Sequence, residues 1–330
     1  MKCPICNSKE IINKYKNIDG YKINRKFNID KCENCGVCFT NPFLSSNEYS
    51  KYHELHQVAF NGAGNEETID EYIKNKEVQW LKLGYVHRLE RILSIKSDVK
   101  KLLDVGCGAG LYLDYLKSKG YSVEGIELSP WGYNIAKNKL GLKVHNDLIE
   151  NLEPPRDKFD VITLYDVLEH TTNPNKFLQE LKKWLKKDGM VMFNVPNIDS
   201  AISKSTKELW NKLCPPDHTF HFNAKSVSYL LNKNGYYPFS ISTNNGELGE
   251  SLGQFTIGVW HMIGEHSRPV AIALKILNKP FSKNEGALLI LIKGSRKVAN
   301  SAGFLLKPFM KSLNNKGKGE GLSVACRLYQ

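Results

Sequence analysis

The sequence predicts an α/β fold: a doubly wound parallel sheet with a small cysteine-rich segment ahead of it and a basic helical extension with a final strand behind. Three observations predict it. Short apolar runs alternate with helical patterns from Lys101 onward, five of eight cysteines crowd into the first forty residues, and the positive charge is concentrated at the end. From His266 to Gln330, twelve lysines and arginines face only two glutamates, which accounts for most of the formal net charge of +12. At 330 residues the chain can hold one large domain or two ordinary ones.

Taken in order, "CPIC" and "CENCG" place Cys3, Cys6, Cys32 and Cys35 in two C-x2-C knuckles. Four thiolates spaced in this way suit a tetrahedral structural Zn2+ site, and clustering without an extracellular signature favours metal over disulfides. Cys38 is surplus and lies in the apolar "VCF" run. Residues 1–42 are therefore expected to form a zinc ribbon, too small to fold without its metal. The Gly/Asn-rich "FNGAGNEE" reads as a connector, and one helical pattern from about Thr68 to Ile95 completes a segment of connector and helices over 43–97.

Residues 98–250 carry the expected core. Strands are read at "KLLDVG", "YSVEGIEL", "LKVHND", "FDVITLY" and "GMVMFNVPN". Between them "LYLDYLKSKG" closes on Gly120. "SPWGYNIAKNKLG" opens with Ser129 as cap and Pro130 in the first turn, and "NPNKFLQELKKWLKKDG" runs as a helix to Gly189. Over 251–330, basic amphipathic helices precede a last strand at "EGLSVACRLY". Such helices suit an anionic membrane surface, or they pack on the domain with their lysines solvated. With neither a signal peptide nor a run of eighteen apolar residues, a cytoplasmic location, peripheral to the membrane on the first of these readings, is expected.

"LLDVGCGAG" poses the chemical question. Glycines where a strand passes into a helix let a ligand approach the backbone, at the sheet edge where α/β folds bind ligands. Gly106, Gly108 and Gly110 make G-x-G-x-G, with Leu111 where a dinucleotide fingerprint has its last glycine. Glu127 ends the next strand, where an acid can accept from both ribose hydroxyls, and Asp147 ends the third, where it can accept from an adenine amino group. Together they describe a nucleoside pocket.

These residues resemble the class I S-adenosylmethionine (SAM)-dependent methyltransferases. "LLDVGCGAG", "GIELS", "NDL", "FDVITLYDVLEH" and "VPN" with "DHTFHFNAKSVSYLLNKNGY" follow the order of that family's motifs from about Lys101 to Tyr237. The resemblance implies a Rossmann-like methyltransferase sheet with SAM as cofactor. It puts Gly106, Gly108 and Gly110 beside the methionine part and Asp104 near the amino group. Glu127 with Leu128 falls to the ribose, and Asp147 with Leu148 to the adenine. The zinc segment joined to this domain resembles a subgroup associated with tailoring of sugars, polysaccharides or secondary metabolites.

An acceptor oxygen or nitrogen that bears a proton needs a base. His218 is the first candidate, because a histidine is poised near neutral pH; His170 and Asp166, in the loop after the fourth strand, are the others. The implied acceptor is a small molecule or a glycan, including a lipid-linked one, methylated on oxygen, with carbon and nitrogen left open. An RNA methyltransferase is the first alternative, although "LYDVLEH" stands where base-amino methylation would show Asn/Asp-Pro-Pro-Tyr/Phe. A non-catalytic SAM-binding module is the second.

Overall fold

In the computed structural model, residues 1–45, 47–49, 51–52, 66–244, 312 and 315–329 are described. The basic stretch expected to be helical over 251–311 lies outside the described residues. Two compact units divide the chain. The first takes 1–43, 195–227 and the described part of 241–323; the second takes 44–194, 228–240 and 324–330.

The first unit is built on a four-stranded sheet. Strands β1 (Ile11–Asp19), β2 (Lys26–Cys32) and β3 (Cys38–Asn41) pair antiparallel in sequence order. A fourth strand, β9 (Phe220–His221), pairs antiparallel with β3 from far along the chain. One side of β2 and β3 is covered by Ile198, Ile202, Trp210 and Leu213, which pack with Ile29 and Cys38. No local pattern in the first forty residues announced this partner strand.

The second unit carries the parallel sheet expected from the alternating runs. Strands β4 (Lys101–Val105), β5 (Ser122–Ile126), β6 (Val144–His145), β7 (Phe159–Tyr165) and β8 (Leu185–Pro196) are joined, on the far side of β8, by β11 (Gly321–Leu328) and β10 (Tyr236–Asn244). Their order is β10-β11-β8-β7-β4-β5-β6, with β4, β5, β6, β7 and β8 parallel. Strand β7 is buried over six of its seven residues, as a strand covered on both faces must be. The last strand falls at "EGLSVACRLY", as read from the sequence.

The helix expected as one piece over 68–95 is three: α1 (Glu66–Lys74), α2 (Lys76–Lys82) and α3 (Tyr85–Ile95). Gly84, at φ +68°, takes a left-handed turn that the apolar spacing does not reveal. Ile69, Tyr72, Tyr85, Leu89 and Ile92 from these helices pack with Leu102, Val161, Met190 and Met192 of the sheet. Each fully buried Leu or Ile there contributes about 1.5–3 kcal/mol.

Three further helices follow the pattern more closely. Helix α4 (Leu111–Ser118) is followed by Gly120 at φ +87°, and α5 (Pro130–Asn134) has Ser129 accepting from the Gly132 N–H. Helix α6 (Pro174–Trp184) stops five residues before Gly189. Leu185, buried and paired with Phe159, begins β8 instead, so sheet pairing overrides the helix propensity of the lysines. Among the described residues no helix is long and apolar enough to cross a membrane.

Candidate functional site

At the carboxyl edge of β4 the chain turns through three glycines with positive φ, Gly106 at +74°, Gly108 at +56° and Gly110 at +76°. They are bare for different reasons. A Cβ on Gly106 would stand 2.5 Å from Val167, and one on Gly110 would stand 2.7 Å from Leu142 and 2.8 Å from Ala136. A Cβ on Gly108 would meet nothing within 4 Å, so on its side-chain side the turn is packed by the protein at both ends and open in the middle. That opening is the space a ligand lying against the strand end would use.

Glu127 frames the opening. Its carboxylate accepts from the Gly108 N–H and the Ser129 N–H, both at 2.7 Å, and burial pushes its pKa up against those bonds. Gly132, which sequence reasoning passed over, is required here: a Cβ on it would press at 3.0 Å on the Gly108 backbone. Leu128 and Leu148 are exposed apolar side chains beside Glu127 and Asp147. An apolar surface next to hydrogen-bonding acids suits a purine, which has flat faces and a polar rim. Asp147 accepts from its neighbour's Leu148 N–H and from Asn151, which holds the carboxylate at the strand end.

Asp104 is buried and accepts from the Thr163 hydroxyl at 2.6 Å, a partner on the adjoining strand that the sequence did not single out. Burial pushes the Asp104 carboxyl up to about 7, opposed by the Thr163 hydrogen bond and by the charge of Arg88. Asp166, just past β7, adopts a left-handed φ of +56°, and His170 follows in a short 3-10 turn. The His170 carbonyl accepts from the Tyr49 hydroxyl. Asp104, Gly106, Gly108, Gly110, Glu127, Leu128, Asp147, Leu148, Asp166 and His170 thus all belong to the second unit, at or just beyond the carboxyl ends of its strands.

His218 belongs to the first unit. Its Nδ1 lies 2.7 Å from the Lys212 carbonyl, its own carbonyl accepts from the Thr40 hydroxyl, and Cys214 and Asp217 offer ligand-type atoms within 4.8 Å. His221, on the adjoining strand, is fully buried, and burial alone pushes its pKa down to about 3, so it stays neutral.

The four knuckle cysteines come together in the same unit. Cys3 and Cys35 Sγ atoms lie 3.7 Å apart, Cys6 and Cys32 3.5 Å, and all four fall within 4.8 Å of one another. A zinc ion about 2.3 Å from each sulfur would need edges of about 3.8 Å, so the donor set fits. The two knuckles are conformational twins. In each, the N–H after the second cysteine, that of Asn7 or Gly36, bonds the carbonyl of the first at 2.9 Å, and both residues have positive φ. The Cys3 thiol is pushed well down by its hydrogen bond with Cys35, and Asn34 donates to Cys6 Sγ. Cys38 is buried outside this set, as its apolar setting suggested.

Residues 78–240, about half of the chain, match the family model described as a methyltransferase domain. Among curated proteins, a ubiquinone biosynthesis O-methyltransferase of Coxiella burnetii (strain Dugway 5J108-111) is 28% identical over 159 residues, 47% of this chain and 63% of that protein. One of Actinobacillus pleuropneumoniae serotype 5b (strain L20) is 33% identical over 108 residues, 30% of this chain and 46% of that protein. The chain therefore spans less than two thirds of the length of either relative. Among solved structures, a SAM-dependent methyltransferase from Archaeoglobus fulgidus covers 84% of this chain and 98% of its own at 16% identity, with a TM-score of 0.44.

Proposed function

We propose that this chain, whose residues 78–240 are a methyltransferase domain, moves a methyl group from SAM to an oxygen of a small-molecule acceptor. The observation that carries the reading is the turn at Gly108: open where a ligand would lie, flanked by Glu127, and followed along the same sheet edge by Asp147. Asp104 would receive the cofactor's ammonium, Glu127 its ribose hydroxyls, and Asp147 with Leu148 its adenine. Bound SAM supplies an electrophilic methyl on a positively charged sulfur. The names of the curated relatives support oxygen as the receiving atom.

What is left to the chain is placement and proton removal. His218 is the proposed base. With Nδ1–H given to the Lys212 carbonyl, Nε2 keeps its lone pair and is the atom that takes the proton. His170 and Asp166 would position the acceptor. The cysteine knuckles would hold one structural zinc, which supplies the stability that a small sheet lacks. We assign 1–42 to this metal segment, 43–97 to the connector and helices, 98–250 to the catalytic core, and 251–330 to the basic extension and last strand.

Calorimetric titration of zinc-loaded protein tests the cofactor. Micromolar binding of SAM and its demethylated product is expected, whereas binding of NAD in their place sinks the reading. His218→Ala should reduce turnover and leave SAM affinity unchanged; undiminished turnover removes His218 from the chemistry.

A further inference from the structure

The turn at "CPPDH" gathers three kinds of metal donor at one point. The His218 N–H bonds the Cys214 carbonyl at 3.2 Å, which closes these five residues into a single turn and brings its ends together. The donor atoms of Cys214, Asp217 and His218, one sulfur, one carboxylate oxygen and one imidazole nitrogen, all lie within 4.8 Å of one another. The four sulfurs of the knuckles meet the same limit. An ion about 2.0–2.3 Å from each donor needs them about 3.5 Å apart, so a contraction of about 1 Å or less completes the set.

The turn is held in place by the ribbon sheet. Pro215 and Pro216 fix φ inside it. The Tyr21 N–H bonds the Pro215 carbonyl, the Thr40 hydroxyl bonds the His218 carbonyl at 2.7 Å, and the Thr40 N–H bonds the Thr219 carbonyl at 2.9 Å. His218 is oriented as metal-binding histidines are: its Nδ1 rests 2.7 Å from the Lys212 carbonyl, which leaves the lone pair on Nε2. Asp217 and His218 are more than nine-tenths buried, and a carboxylate at that depth is costly unless strong donors or a metal meet it. Burial pushes the Tyr21 phenol up, with Asp217 and Cys214 acting in the same direction, so the two acidic donors converge beside one ring.

We propose that Cys214, Asp217 and His218 form a second metal site, separate from the cysteine knuckles, for a divalent ion of zinc's borderline softness. The donors choose the ion, because thiolate and imidazole suit zinc, whereas magnesium and calcium ask for oxygen. Three protein donors leave a fourth position for water and hold the ion less firmly than four thiolates do. The site does not depend on the SAM reading. The two meet at Nε2, whose one lone pair serves either an ion or a proton, so an ion bound here would switch off His218 as a base.

The test starts from zinc-loaded full chain, dialysed to leave the tight equivalent in the knuckles, and titrates Zn2+ by calorimetry. One further equivalent of micromolar affinity is expected. Cys214→Ser and His218→Gln should each weaken it on the order of a hundredfold and leave the first equivalent in place, while His87→Ala, at an exposed histidine, should change nothing. Co2+ in place of the added Zn2+ should give a thiolate-to-cobalt band that Cys214→Ser removes and excess Mg2+ does not. In the unaltered chain Zn2+ should also slow alkylation of Cys214 by iodoacetamide, a reading that needs neither variant to fold. Absence of a second equivalent, a second equivalent that survives both substitutions, or alkylation at one rate with and without Zn2+ overturns the assignment.

Discussion

The cysteine knuckles and the glycine turn are built from opposite materials. In the knuckles the backbone does the folding, through twin turns at Asn7 and Gly36, and four side chains are presented to one point. In the turn the side chains are gone, and the backbone itself, with an N–H held by Glu127, forms the surface. The difference teaches where each site is vulnerable. A site made of side-chain donors fails when one donor is lost, whereas a site made of bare backbone fails when an atom is added.

The largest effect should come from removing a donor. Cys35→Ser is expected to lower bound zinc from one equivalent per chain to near zero and to cost about 5 kcal/mol or more of stability. Metal analysis and thermal unfolding read it. A serine variant that keeps its zinc and melts with its parent would break the contrast at its stronger end.

Adding an atom separates stability from binding. Gly110→Ala puts a Cβ against Leu142 and Ala136 at a left-handed φ and should cost about 2–4 kcal/mol. Gly108→Ala meets open space, so only the backbone penalty of about 1 kcal/mol is expected, together with most of the loss in cofactor affinity. Equal melting temperatures for the two variants would show that Gly110 is not held by its neighbours as described.

Glu127→Gln should follow, with a loss in affinity for S-adenosylhomocysteine of about tenfold, because a neutral amide accepts less strongly than a carboxylate. A pH dependence of similar size closes the series. The Asp104 carboxyl is pushed up to about 7 when folded, against about 3.9 in an unfolded chain. The neutral form is thus favoured by folding, and its contribution to stability is full below about pH 4 and lost as pH rises through 7. A ligand ammonium favours the charged form, so affinity should rise about tenfold between pH 6 and pH 8. Asp104→Asn should flatten that profile, and a steep profile in the variant would assign the titration to another group.

The parts legible in the sequence are those whose geometry is local. The knuckles, the strand-to-helix turn at Gly106 to Gly110, the Ser129 cap and the positions of strands β4 to β7 along the chain depend on residues within a few positions of one another. What was not legible depends on packing. The break at Gly84 divides an apolar pattern that reads as continuous, and Leu185 leaves a lysine-rich helix because Phe159 is there to pair with it. Thr163 gave no signal beyond its place in an apolar strand, although it holds Asp104. His218 and His221 both end up buried, and only the fold decides that the first has its Nδ1 held by the Lys212 carbonyl while burial keeps the second neutral.

The sequence by itself determined the kind of chemistry each segment can take part in, because cysteine spacing and alternating glycines constrain φ, ψ and donor type over short spans of chain. Tertiary structure decided which distant groups meet. Thr40 bonds the carbonyl of His218, 178 residues away, as β9 joins the ribbon sheet, and Arg88 reaches the ring of Tyr165 from a helix that precedes the glycine turn. Such contacts form because each brings together surfaces that local structure leaves uncovered, and no periodicity along the chain encodes which two surfaces those are.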